Sequence, residues 1–250
     1  MFTHRPLIAA LALLLSSVGL PALAGETKVA VAANFTEAAK EIATAFKAKT
    51  GDDAVLSFGA TGQLYTQITQ EAPFEILLSA DDERPRKAVA DGLGVSGSTF
   101  TYAVGRLVLW SKAAGLVTGE NTLKSEKFGK LSICNPQAAP YGAAAVETMR
   151  SLKLEEALKP KLVVGANISQ AFQFVDSGNA ELGFVALSQL MGRTEGSRWL
   201  VPQELYRPIR QDAVLLNKGA NNPAAVGFLQ FLKGPEAHAI IERYGYAFSS

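Results

Sequence analysis

Residues 28–37 read KVAVAANFTE, and this stretch decides the fold. Its residues 29–33 form a short apolar run of the length expected for a buried strand. From Phe35 onward the apolar positions take the spacing of one helix face, so the same stretch opens a helix. Asn34 is the predicted N-cap of that helix, and Glu37 three residues later completes a capping box. A strand that enters a helix through a small polar turn leaves free backbone N–H groups, which favours anion binding there.

The same strand–turn–helix pattern recurs along the chain. Four such turns lie at residues 33–36, 59–63, 139–142 and 166–170, and we call them the first to fourth turns. They are rich in Gly, Ala, Thr, Asn, Gln and Ser, and contain no Lys, Arg, Asp, Glu or His. A single turn of this kind is explained by helix capping alone, but four predict a ligand site, because open α/β sheets bind ligands beyond the carboxyl ends of their strands. Uncharged donors suit a small dianion that carries no proton.

Successive strand–helix units predict an α/β fold of two lobes, each a mostly parallel sheet flanked by helices. The β-rich run at 100–110 and the extended stretch at 203–216 are expected to cross between the lobes. We therefore assign residues 25–104 with 211–250 to lobe 1 and residues 105–210 to lobe 2. The ligand is expected in the cleft between them.

The N-terminal segment has the pattern of a cleavable signal peptide. Residues 1–24 combine Arg5, an apolar core at 7–20 and an Ala-x-Ala cleavage motif at 22–24. The core is shorter than the ~20 residues that span a bilayer, which argues against the alternative of a membrane anchor. Export to the periplasm is therefore predicted. Removing Arg5 from 24 Lys plus Arg leaves 23 basic residues against 23 Asp plus Glu, a neutral balance that argues against a nucleic-acid partner.

Groups for catalysis are scarce in the 250 residues. His238 is the only histidine left after the signal peptide, and the sequence contains no Ser-His-Asp set or metal-ligand cluster, so we expect no enzyme. Cys134 lies in an apolar strand pattern, where a buried, inert thiol is expected. The alternative is a nucleophilic or cofactor-carrying thiol, which would need an exposed, electropositive setting.

The sequence resembles the periplasmic molybdate-binding proteins of bacterial ABC transporters, which have the type II two-lobed periplasmic binding fold. The matching stretches span nearly the whole mature chain in the family's order. They are VAANF at 31–35, SFGATGQL at 57–64, APFEILLSAD at 72–81, GRLVLW at 105–110 and FLKGPEA at 231–237.

The resemblance implies a molybdate or tungstate oxyanion, with no cofactor, bound by Asn34, Thr61, Tyr141 and Ile168. These residues lie on the four turns, and Tyr141 and Ile168 would contribute main-chain N–H groups. Some members have Ser at the position of Asn34, and some place a Tyr hydroxyl where this chain has Ala186. The octahedral mode of archaeal tungstate binders needs carboxylate ligands, which the four turns lack, so tetrahedral coordination is expected.

As a member of this class the chain would be a monomeric solute-binding protein that delivers its anion to an inner-membrane ABC permease and its ATPase. The lobes would close around the crossings at 104–106 and 207–211. One alternative is a binder of another oxyanion, such as sulfate or phosphonate. A second is an enzyme on the same fold that uses Cys134. The signal peptide and the lack of a DNA-binding segment argue against a third, a ligand-sensing regulatory domain.

Overall fold

The computed structural model describes residues 24–248, so the predicted signal peptide, apart from Ala24, lies outside the described residues. The described chain forms two five-stranded sheets. The first sheet contains β1 Glu26–Ala32, β2 Asp53–Gly59, β3 Ile76–Leu78, β4 Phe100–Gly105 and β10 Ile209–Leu215. The second contains β5 Leu107–Ser111, β6 Leu131–Cys134, β7 Leu162–Gly165, β8 Leu182–Ala186 and β9 Ser197–Leu200.

Helices flank both sheets. Those beside the first sheet are α1 Thr36–Thr50, α2 Thr61–Thr69, α3 Glu83–Ala90, α7 Pro223–Leu232 and α8 Pro235–Arg243. Those beside the second are α4 Pro140–Ser151, α5 Glu155–Leu158 and α6 Ile168–Asp176. Each sheet has its own large apolar core, one around Phe35, Ile42 and Phe228 and the other around Met149 and Phe184.

The sheets are mixed and not mostly parallel as predicted, with the strand orders β2-β1-β3-β10-β4 and β7-β6-β8-β5-β9. The strands that feed the four turns pair in parallel, β1 with β2 and β6 with β7. By contrast, β10 runs antiparallel to β3 and β4, and β5 antiparallel to β8 and β9. These antiparallel strands adjoin the crossings, because the chain leaves the first sheet after Gly105 and re-enters it at Ile209. The lobe boundaries given above stay a prediction.

The predicted N-cap of α1 is wrong. A 3₁₀ turn at Ala33–Phe35 precedes the helix, and Phe35 occupies the N-cap position without a side-chain capping bond. The predicted helix end is correct, since Gly51 closes α1 in the left-handed conformation at φ 83°. The tight 3₁₀ turn directs the Asn34 side chain into the interior, and the residue is only 4% exposed. Asn34 therefore bonds to other parts of the fold instead of to its own helix.

Candidate functional site

All four predicted site residues line one small cavity, with a volume of about 10 Å³. Thr61 is 1% exposed, Tyr141 2%, Ile168 3% and Asn34 4%, so all four site residues are buried. The Tyr141 hydroxyl is the one ionisable group among the described residues that line the cavity. The lining residues are Ala32, Ala33, Asn34, Gly59, Ala60, Thr61, Ala80, Ala139, Pro140, Tyr141 and Ile168. Burial raises the pKa of that hydroxyl well above its ordinary value, so it stays neutral and able to donate.

Thr61 presents a hydroxyl whose hydrogen is free to donate. The residue opens α2, and its Oγ1 accepts a hydrogen bond of 3.0 Å from the backbone N–H of Ala80. That bond fixes the position of the oxygen and uses one of its lone pairs. The hydroxyl hydrogen is then available to a ligand in the cavity.

Two helix N-termini from the second lobe face the same cavity. Pro140 opens α4 without an N–H, so the Tyr141 N–H is the first donor of that helix. Ile168 opens α6, and the side chain of Asn167 caps the helix by accepting from the Gln170 N–H at 3.0 Å. The first N–H groups of a helix lack intrahelical partners, and the helix dipole favours an anion there. Both termini can therefore donate to one oxyanion.

Comparison with known proteins agrees with this geometry. A family model for bacterial extracellular solute-binding proteins matches residues 27–247. A molybdate-binding protein of Rhodobacter capsulatus is 54% identical over 244 residues, or 98% of this chain and 96% of that protein. Another, of Azotobacter vinelandii, is 56% identical over 229 residues, or 90% of this chain and 91% of that protein. The chain belongs to this solute-binding family.

The family's solved structures agree with the fold. The periplasmic molybdate-binding protein of A. vinelandii superimposes with a TM-score of 0.87 at 38% identity, covering 90% of this chain and 100% of that one. The predicted two-lobed fold and family are thereby confirmed. These relatives are solute-binding transport proteins and not enzymes.

A larger groove of about 550 Å³ adjoins the cavity and shares Ala80, Ala139 and Pro140 with it. Unlike the cavity of this solute-binding protein, the groove is charged, with Asp81, Asp82, Glu83, Arg84, Arg86, Glu147, Arg207 and Arg210 in its lining. Its arginines pair with its acids: Arg84 with Asp81, Arg86 with Asp82 at 2.6 Å, and Arg207 with Glu147 at 2.7 Å. Cations already neutralised by carboxylates are poor anion ligands, so the groove suits an anion less well than the neutral cavity does.

Ala186 contributes no side-chain donor, as its sequence implies. It is fully buried at the end of β8, and its backbone N–H donates to Gln189 Oε1 at 3.0 Å. The Nε2 of Gln189 donates to the Ile168 carbonyl at 3.1 Å. Gln189 thus links the end of β8 to the fourth turn.

Cys134 is 1% exposed at the end of β6, and burial raises the pKa of its thiol to about 12. A thiol in this state is inert, which agrees with the expectation from sequence. Within residues 24–248 no three His, Cys, Asp or Glu side chains are grouped to hold a metal ion. Over the same residues no helix combines the length and apolar character needed to cross a membrane.

Sequence reasoning missed the side chains that hold Asn34. Its Nδ2 lies 2.8 Å from Gln211 Oε1 and 3.1 Å from the Tyr246 hydroxyl. Its carbonyl accepts from Tyr246 at 2.7 Å and from Ser188 Oγ at 2.8 Å. The sequence offered no clear signal, because Gln211 stands between the charged residues Arg210 and Asp212 and does not interrupt an apolar run.

Proposed function

We propose that this chain is an exported, periplasmic solute-binding protein that captures molybdate, and tungstate with it. The observation that carries the proposal is the small neutral cavity at which Thr61 and two helix N-termini present hydrogen-bond donors. A tetrahedral dianion matches such a set, because it accepts hydrogen bonds on all its oxygens and needs no acceptor from the protein. The names of the relatives agree with this ligand.

Closure of the lobes is the proposed transport signal. The Gly62 N–H donates to the Ala138 carbonyl across the cleft at 2.9 Å, and Ser188 Oγ donates to the Asn34 carbonyl at 2.8 Å. Each bond contributes only about 1 kcal/mol, so an anion held from both lobes adds substantially to closure. A monomer with lobes at 25–104 plus 211–250 and 105–210 would present this closed form to an inner-membrane ABC permease and its ATPase.

Thermal unfolding of residues 25–250 tests the ligand. Molybdate, tungstate, sulfate and phosphate are added in turn, each in large excess. A ligand at ~1,000 times its dissociation constant stabilises the folded state by about 4 kcal/mol, or roughly 8–16 °C for a chain of this size. We expect that shift with molybdate and tungstate alone. A shift in melting temperature with sulfate would show that the protein binds another oxyanion. The absence of a shift with all four anions would contradict the proposal.

Replacing Thr61 with alanine is expected to weaken molybdate binding by about 1.5–3 kcal/mol, because a hydrogen bond to a charged group is lost. The dissociation constant would rise roughly 10- to 150-fold. Titration calorimetry measures the change, and Thr61→Ser, which keeps the hydroxyl, serves as the control. Equal affinity for molybdate in wild type and Thr61→Ala would show that the Thr61 hydroxyl does not bind the anion.

Gly62→Val tests closure. Gly62 lies in the second turn but is not part of the cavity lining. A Cβ on Gly62 would instead lie 3.2 Å from the Ala138 Cα and carbonyl oxygen across the cleft. The branched side chain should hold the lobes apart and weaken molybdate binding about tenfold. Small-angle scattering with saturating molybdate should show a larger radius of gyration than wild type, and an equal radius would disprove this account of Gly62.

The substitution Cys134→Ala distinguishes a solute-binding protein from the alternative, an enzyme that uses the Cys134 thiol. Since the thiol is buried and inert, molybdate affinity should be unchanged while stability falls by about 1 kcal/mol from the small cavity created. Calorimetry and thermal unfolding measure the two effects. Loss of binding in a folded variant would support a functional thiol.

A further inference from the structure

A buried hydrogen-bond network lies behind the cavity, with Gln211 at its centre. Gln211 is fully buried in β10, at a bulge that interrupts the pairing with β4. Bulges often redirect a side chain beside a functional site. One end of the Gln211 carboxamide lies 2.8 Å from the Asn34 carboxamide, and the other lies 3.3 Å from the Tyr141 hydroxyl. Gln211 therefore connects the first turn in one lobe with the third turn in the other.

The Asn34 carboxamide has one occupied end and one free end. The end that faces Gln211 also lies 3.1 Å from the Tyr246 hydroxyl. The other end has no hydrogen-bond partner among residues 24–248, although the residue is only 4% exposed. Because Asn34 lines the cavity, this free end is the one left to meet a ligand.

A carboxamide can exchange its oxygen and nitrogen by a half-turn, so the same atoms permit two bonding patterns. In the first pattern Asn34 Nδ2 donates to Gln211 Oε1, and Gln211 Nε2 donates to the Tyr141 hydroxyl. One Gln211 N–H and the Tyr141 hydroxyl hydrogen are then without acceptors among the described residues. The Asn34 oxygen occupies the free end.

In the second pattern both carboxamides are turned. Gln211 now donates to the Asn34 oxygen and to the Tyr102 hydroxyl at 3.2 Å, while Tyr102 donates to the Ser79 carbonyl at 2.9 Å. The Tyr141 hydroxyl donates its hydrogen to the Gln211 oxygen. The groups left unpaired in the first pattern are all paired here. The Asn34 NH₂ occupies the free end.

Tyr246 and Ser188 accommodate the second pattern. Ser188 Oγ donates to the Asn34 carbonyl at 2.8 Å, which satisfies that carbonyl by itself. The Tyr246 hydroxyl can then donate to the Asn34 carboxamide oxygen at 3.1 Å. Only the Asn34 NH₂ still needs acceptors, and oxygens of an anion in the cavity supply them.

We infer that Gln211 is a specificity-determining positioning residue, which holds the Asn34 NH₂ toward the cavity and so selects an oxyanion that carries no proton. The inference rests on the proposed function. With the NH₂ in place, the cavity lining offers donors to molybdate and no carboxylate or amide oxygen for the proton of hydrogenphosphate, and the Thr61 hydroxyl oxygen already accepts from the Ala80 N–H. If the Asn34 oxygen faced the cavity, that proton would find an acceptor. The cavity lining contains no charged residue that could discriminate instead.

The test is Gln211→Met in the mature chain, residues 25–250, a substitution of similar size that removes the hydrogen bonds to Asn34, Tyr102 and Tyr141. Calorimetry near neutral pH gives the dissociation constant for molybdate, and displacement by inorganic phosphate gives that for hydrogenphosphate. Freed from Gln211, the Asn34 carboxamide can turn its oxygen to the cavity. The molybdate preference over phosphate should fall by about tenfold or more. A purely structural role would weaken both anions alike and leave the ratio unchanged.

Two further variants make the test decisive. Tyr141→Phe removes the hydroxyl that bonds the Gln211 oxygen but keeps the main-chain N–H, so the preference should fall in the same direction by a smaller factor. Gln203→Met makes the same exchange at a glutamine that donates to the Tyr206 carbonyl and is not part of the cavity lining, so the ratio should stay at the wild-type value.

The outcomes separate the two proposals. Wild type that fails to bind molybdate refutes the proposed function. Wild type that binds molybdate, with an unchanged ratio in both Gln211→Met and Tyr141→Phe, refutes only the role of Gln211. If circular dichroism shows that Gln211→Met is unfolded, Tyr141→Phe decides the matter.

Discussion

Replacing Asn34 with aspartate is expected to abolish molybdate binding. The two side chains have nearly the same size, so the cavity keeps its shape. The new carboxylate would be buried at a site that is 4% exposed, beside a dianion, and like charges in such a setting cost several kcal/mol. A carboxylate can also only accept hydrogen bonds, whereas the anion needs donors. We expect the dissociation constant to rise by roughly a thousandfold, or about 4 kcal/mol.

Calorimetry of folded Asn34→Asp measures this effect, with Asn179→Asp as the matched control. Asn179 is exposed and donates only to Ser177 Oγ, so its substitution adds the same charge far from the cavity. The control should bind molybdate like wild type. Burial and the neighbouring anion both raise the pKa of the new carboxyl, so lowering the pH should restore part of the lost affinity. Undiminished binding by Asn34→Asp at neutral pH would place the anion elsewhere.

Gly142→Val is expected to lower both stability and binding. A Cβ on Gly142 would overlap the carbonyl oxygen of Cys134 and would lie 2.9 Å from the Asn135 carbonyl carbon. Both obstacles are backbone, so no side-chain rotation relieves the overlap. The start of α4 would have to move away from β6, and the Tyr141 N–H would move with it. We expect a loss of about 3 kcal/mol in the free energy of unfolding, and a dissociation constant for molybdate raised at least about tenfold.

Thermal unfolding without ligand should show a melting temperature lower by roughly 6–12 °C for Gly142→Val. Gly129→Val is the control, because a Cβ there meets only Glu181 Oε1 at 3.6 Å, an ordinary contact. It should melt and bind close to wild type. Wild-type stability in Gly142→Val would show that α4 does not need this close approach to β6.

The sequence was informative where a single local pattern determines the structure. An apolar run followed by a neutral turn and a helix face identified β1 with α1, and Pro140 marked the start of α4. Because each such unit places its turn at the carboxyl end of a strand, the meeting of Asn34 with Tyr141 in one cavity could be predicted without coordinates.

Features that depend on distant parts of the chain were not predictable in this way. Asn34 has the residue type of a helix cap, but contacts with Gln211 and Tyr246, 177 and 212 residues away in sequence, place it in the interior. Likewise, the need for Gly62 comes from Ala138 in the opposite lobe and not from its own turn. Local propensity gave way to tertiary hydrogen bonding in the first case and to interlobe packing in the second.

One molybdate is expected in the neutral cavity between the lobes, and a crystal structure with molybdate bound tests this most directly. Anomalous diffraction locates the molybdenum independently of any assumption about the ligand. We expect one peak in the cavity, with anion oxygens within hydrogen-bond distance of Thr61 Oγ1, the Tyr141 and Ile168 N–H groups and the Asn34 side chain. A peak in the charged groove beside Arg84 and Arg207, or none in a crystal grown with saturating molybdate, would contradict this expectation.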